Sequence, residues 1–293
     1  TAEVGVKYTN FGGTWERVSF TSQTDNATIT KISESSKGKK VNLTLSFDNI
    51  STFASFENGS EVDLKYKKLV SENLDTISFI AHYPEYEESE LKNGAYATVV
   101  YVIAEGGTKE KVTLKDVKDT QYCGEDNPGI KITDANNVYL IAISERNHNV
   151  GTIEEFTKAT DYQLINAITA KAKEIQNKYS KDGKFSYENS IKEHTKIFAN
   201  EYNKVTINLG ESDSTLSNEK LIFNQITKKK INNDLAERAY YSGRYAYLCC
   251  SGYSTSRLGG MWTGEWAPGW GSKYTMDANV NLQTSSLNTS NMT

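Results

Sequence analysis

The sequence predicts a β + α protein: an N-terminal antiparallel β-sandwich followed by helices. Three observations carry this reading. Up to about residue 150 the chain is a series of short alternating segments with tight turn signals between them and no intervening helix pattern. From Thr152 the texture changes to Ala- and Lys-rich helical periodicity. After Cys250 the chain becomes rich in Gly and Trp, and neither a regular helix nor a strand is expected there.

The elements follow in order. "VNLTLSF" alternates Val41, Leu43, Leu45 and Phe47 against polar neighbours, the period-2 mark of a half-buried strand. "TISFIAH", "AYATVVYVIAE", "EKVTLKD", "GIKIT" and "NVYLIAIS" continue the series, divided by "ENGS", "KNGA", "EGGT" and "DANN". The first helix is expected to start at Thr152, where Thr152 and Glu155 have capping-box spacing, and to end at Lys181–Lys184. The second reads through "SYENSIKEHTKIFANEYNKV", with Ile191, His194, Phe198 and Tyr202 on one face, so that His194 is expected to be a packed core histidine. "NLGESDSTLSNEK" reads as a polar connector and the lysines of "TKKKINN" as a solvated helix start. A third helix is expected through "KINNDLAERAYYSGRYAYLCCSG", buried along the small-residue stripe Leu235, Ala239, Ser242, Ala246 and Cys249.

Composition excludes several functions. A net charge of −4 gives no basic footprint for nucleic acid. No apolar run is long enough to span a bilayer, so no membrane insertion is expected. The three cysteines make no disulfide framework, and the adjacent Cys249 and Cys250 are expected to be buried thiols. With three widely separated histidines no metal site is expected, and no G-x-S-x-G signals a nucleophilic serine.

The segment "GGMWTGEWAPGWGSKYTMDANVNLQ" places Trp262, Trp266 and Trp270 on irregular backbone, and residues 251–293 carry few charges: Arg257, Lys273, Glu265 and Asp277. Flat rings stack on the C–H faces of sugars, and Asn279, Asn281 and Gln283 supply amide donors and acceptors for hydroxyls. The same rings would equally well pack a loop-rich lid.

Three stretches resemble glycoside hydrolase family 95, the α-L-fucosidase family. "EHTKIFANEYNKVTINLG" is similar to that family's linker helix, and "SGRYAYLCCSG" to its first barrel helix, Tyr-Gly-Arg-Tyr-Leu before a Ser-rich turn. "LGGMWTGEWAPGWGSKYT" resembles its Leu-Gln-Gly-x-Trp-Asn … Pro-Pro-Trp-Gly-Ser-x-Tyr-Thr run, keeping the step from Trp262 to Trp270, then Gly271, Ser272 and Tyr274. The resemblance implies a β-sandwich domain over residues 1–151, a helical linker over 152–219, and the start of an (α/α)6 catalytic barrel over 220–293.

It further implies an inverting exo-glycosidase that needs no metal or organic cofactor and acts on fucosylated or related glycans. In that family a glutamic acid protonates the leaving oxygen, and asparagines polarised by an aspartate hold the attacking water. Two registers are open for the asparagine pair: Asp277 with Asn279, or Asn279 with Asn281. Trp262, Trp270, Tyr274, Arg257 and Glu265 are the expected sugar contacts. The family's Met-Asn-Tyr-Trp text is replaced here by "TSSLNTSNM", and its general acid lies downstream of Thr293. The sequence therefore reads as a fragment, inactive alone, whose partner is the remainder of the barrel in a longer chain. No signal peptide is visible, and a secreted, cell-surface or periplasmic location is expected. The alternative is a carbohydrate-binding surface module without catalysis.

Overall fold

The computed structural model describes residues 1–10, 12–36, 38–47, 65–82, 94–115, 126–147, 159–210, 215–250, 258 and 274–292. Two compact units are resolved, the first running to Thr195 and the second from Lys196.

The first unit is built on two antiparallel sheets. Seven strands form the larger sheet in the order β1-β2-β3-β10-β7-β6-β5: β1 (Val4–Asn10), β2 (Gly13–Ser22), β3 (Ala27–Glu34), β10 (Asn137–Arg146), β7 (Ala95–Glu105), β6 (Thr76–His82) and β5 (Tyr66–Val70). Three strands form the smaller one in the order β4-β9-β8: β4 (Val41–Ser46), β9 (Asn127–Ala135) and β8 (Thr108–Leu114). Between the sheets lies a core of Val41, Ile77, Val102, Ile130, Ile132 and Val138, with Leu43, Leu45 and Phe47 packed against it. The alternation of β4 thus points to the interior as its pattern demands. β6 reads as a nearly continuous buried run because both of its faces are covered: Ile77 meets the smaller sheet and Ile80 the opposite side.

That opposite side is covered by α1 (Asp161–Tyr179), which lays Leu164, Ile168, Ala172, Ile175 and Tyr179 against Phe20, Ile29, Val99 and Ile141. Burial of each Leu or Ile there stabilises the fold by about 1.5–3 kcal/mol. The helix begins later than Thr152 suggests. Its N-cap is Thr160, whose hydroxyl accepts from the Gln163 amide at 3.2 Å while the Gln163 side chain accepts from the Thr160 amide at 2.9 Å. Thr152 and Glu155 lie outside the described residues. The helix ends where Asp182 and Gly183, both left-handed, turn the short hairpin β11 (Ser180–Lys181) to β12 (Lys184–Phe185). Gly107 has a comparable duty between β7 and β8, since a Cβ there would stand 2.2 Å from the Thr133 carbonyl oxygen.

The α1 terminus is fastened to the β2–β3 turn by Asp25. Its carboxylate accepts from the Tyr179 hydroxyl at 2.7 Å, the Ser22 hydroxyl at 2.8 Å and the Lys178 ammonium at 2.6 Å. Burial alone would raise the Asp25 pKa, but these donors outweigh it and hold it below the ordinary value. A group with a depressed folded pKa contributes stability above its unfolded pKa, about 3.9, and loses it as pH falls through the folded value. Asp25→Asn is expected to cost about 2 kcal/mol at neutral pH in chemical denaturation. The difference from the parent protein should shrink as the pH falls below about 4.

α2 (Tyr187–Tyr202) follows. In the first unit its His194 is buried and stacked on Phe20 at 4.9 Å, as its apolar face requires. In the second unit come α3 (Asn218–Lys228), α4 (Asn233–Cys250) and α5 (Asn279–Thr284). α3 starts in the last three residues of the stretch that reads as polar connector and runs on through Leu221–Lys228, where no helix is expected. The lysines of "TKKKINN" do not open a helix: Lys228 ends α3, Lys229 is its left-handed C-cap, and the cations complement the negative end of the helix dipole. Among the described residues no helix is long and apolar enough to cross a membrane.

Candidate active site

α4 is the scaffold of the second unit. Asn232 caps it, its side chain accepting from the Leu235 amide at 2.9 Å. Asn233, Glu237 and Tyr241, four residues apart and hence on one face, stitch an extended segment to the helix. Asn233 donates to the Leu209 carbonyl at 2.7 Å, Glu237 accepts from the Leu209 amide, and the Tyr241 hydroxyl meets both the amide and the carbonyl of Ile207 at 2.9 Å. One turn on, Tyr245 packs edge-on to Phe198 and Tyr202.

The small-residue stripe behaves differently from expectation. Ala239, Ser242, Ala246 and Cys249 are exposed, so α4 is not buried along that face; Cys250, by contrast, is buried. The buried positions of α4 are instead Asp234, Arg244 and Cys250. α3 also presents Ile222, Phe223 and Ile226 to solvent and buries only Leu221.

Arg244 organises this unit. It is 3% exposed and spends its guanidinium on carbonyl oxygens. Nη1 donates to Tyr202, Nη2 to Glu201 at 2.9 Å and Nε to Ser290 at 3.2 Å, while the guanidinium lies over the Tyr202 ring at 5.7 Å. Two of these acceptors are the last carbonyls of α2, where the helix dipole favours a cation. The third belongs to the turn after α5. A single side chain therefore ties the end of α2 and the α5 region to α4. Sequence reading quotes Arg244 without giving it a role. The available signal is that it is the only charged residue between Arg238 and Arg257.

α5, a short helix in a stretch where no regular helix is expected, carries Asn279 and Asn281 of the predicted water-holding residues. Val280 is buried and anchors the helix, with Ser290, also buried, beyond it. Asn279 is the first helical residue and is half-buried; Asp277 lies in the turn just before it and is exposed; Asn281 is exposed. Residues two apart on a helix point to opposite sides, so α5 does not bring Asn279 and Asn281 to a common face. Asp277 and Asn279 both sit at the N-terminal end. Among the described residues no hydrogen bond joins the three side chains. Tyr274 is 47% exposed. Trp262, Trp270, Arg257 and Glu265 lie outside the described residues, as does most of the Trp-rich segment. Among the described residues no cluster of His, Cys, Asp and Glu has the makings of a metal site.

Residues 186–293 match the model of the glycosyl hydrolase family 95 catalytic domain. No curated protein matches the chain.

Proposed function

We propose, for a chain whose residues 186–293 belong to the family 95 catalytic domain of glycosyl hydrolases, that the protein is an inverting exo-α-L-fucosidase. It would remove terminal α-L-fucose, or a related α-L-sugar, from glycans met outside the cytoplasm. The observation that carries the reading is this match, which takes in α4, the Trp-rich segment and the Asp277–Asn281 stretch.

In this proposal Asn279 holds the attacking water through its amide oxygen. The position of α5 favours Asp277, rather than Asn281, as its neighbour at the helix N-terminus. An amide is a weak base, so the water gains nucleophilicity only when a carboxylate polarises the amide or takes the proton. A carboxylic acid elsewhere in the barrel protonates the leaving oxygen, the other half of an inverting displacement. Trp262, Trp270 and Tyr274 wall the sugar, and Arg257 and Glu265 bind its hydroxyls. The solvent-facing Ile222, Phe223 and Ile226 of α3 and the exposed small stripe of α4 are what helices of the rest of the barrel, in a longer chain, would cover.

A panel of nitrophenyl α-L-glycosides on the full-length gene product tests the reading. Fucoside is expected to turn over, with galactoside, which adds only a 6-hydroxyl, slower by about 10–200-fold. Glycan binding without hydrolysis of any member would favour a carbohydrate-binding module.

A further inference from the structure

The larger sheet overhangs the smaller one. The three-stranded sheet covers the β3-β10-β7-β6-β5 part, and its edge strand β4 stops short of β1 and β2. The inner face of the overhang, the one that continues toward Ile32 and the inter-sheet core, carries Tyr8, Trp15 and Arg17 by strict register: Tyr8 pairs with Trp15, Val6 with Arg17, and Arg17 with Ile32. A cleft of about 450 Å³ lies in the step, floored by these residues with Asn10 and the backbone of Glu16 and walled by Val41–Leu45 of β4.

Its aromatic floor is held in place. The Trp15 and Tyr8 rings stack at 5.7 Å with 19° between planes. Gly12 lets the indole lie close over the β1–β2 turn, since a Cβ there would stand 3.0 Å from the Trp15 ring. The Asn10 side-chain oxygen Oδ1 accepts from the Gly12 amide at 2.8 Å, which leaves the side-chain NH₂ for a ligand. Among the described residues Arg17 forms no ion pair, and it is exposed. An inter-sheet core would bury these rings fully, yet Tyr8 remains 53% exposed and Trp15 only partly buried.

We infer that this cleft binds a neutral sugar, one or two rings of a glycan, with the apolar face of a pyranose on Trp15 and Tyr8. The class follows from the lining. Arg17 is the one charged side chain of the lining that shares this face, since Glu16 alternates to the opposite face with Val18 and Phe20; its guanidinium donates to hydroxyls, and aromatic walls with a few convergent polar groups suit a polyhydroxyl ring. The volume suits one or two sugar rings. The site lies wholly in the first unit, outside residues 186–293, and the inference does not depend on the fucosidase reading.

The test is amide and indole NMR titration of the full chain with lactose, cellotetraose and methyl α-L-fucoside. At least one is expected to give saturable shifts at the Trp15 indole and on β1 and β2. Trp15→Ala should weaken that binding about tenfold or more. Arg17→Ala, at an exposed position that leaves the fold intact, should weaken it several-fold. Neither should change fucoside hydrolysis, so failure here is distinguishable from failure of the catalytic proposal. No saturable shift with any of the three sugars, or equal affinity in both variants, would overturn the inference. Shifts confined to the β4 amides, signifying an added peptide strand on that open edge, would overturn it too.

Discussion

Arg244→Ala should destabilise the second unit by about 2–4 kcal/mol, since it removes three hydrogen bonds from a charged donor to backbone carbonyls, one of them buried. The carbonyls of Tyr202 and Ser290 lose their donor, and the Glu201 carbonyl keeps only the Lys204 amide at 3.4 Å; the buried Ser290 acceptor left unpaired accounts for about 1–3 kcal/mol before relaxation. Arg244→Lys is expected to recover little of this. An ammonium is a point donor on a flexible stem and cannot reproduce a planar fork that reaches three carbonyls on two sides. Urea denaturation followed by far-ultraviolet circular dichroism gives the number. A loss below about 0.5 kcal/mol would show that Arg244 is not the fastening it looks to be.

Asn279→Ala should lower kcat for a fucoside by about 10²–10⁴-fold, the usual contribution of a positioned proton-handling group, with little change in KM. Asn279 is a half-buried residue at the start of α5, where the N-cap position is taken by Ala278, so its loss should leave thermal stability within about 0.5 kcal/mol of the parent. Asn281→Ala, at a solvent-facing position, should cost far less activity. Equal losses at the two positions would restore the Asn279–Asn281 register and imply that α5 rearranges when sugar binds.

The strands around the inter-sheet core were legible because β4 and β7 obey period-2 burial, and β7 is flanked by Asn-Gly and Gly-Gly. α1 was legible in kind but not at its start, since Thr152/Glu155 and Thr160/Gln163 offer the same spacing and only the second is the cap. α3 was hidden for a physical reason. Its Ile222, Phe223 and Ile226 face solvent, so no polar-outside pattern marks it as a helix. The small-residue stripe of α4 reads as a buried face because small residues permit close helix approach; in the described residues nothing occupies it. Cys249 stands exposed for the same reason. Of the candidate site only Tyr274, Asp277, Asn279 and Asn281 lie among the described residues, and they can be named from sequence because residue types and order are linear information. The fastening of this region by Arg244 was not legible, because its acceptors are backbone carbonyls some forty residues away on either side, which carry no residue signature.

The most direct test of the central claim is proton NMR of the sugar released when the full-length protein is mixed with an α-L-fucoside. The account predicts that β-L-fucose appears first and mutarotates afterwards, because a single displacement by water inverts the anomeric carbon. First appearance of α-L-fucose would contradict the water-holding role of Asn279 in favour of a covalent intermediate, and no release of fucose would contradict the fucosidase assignment itself.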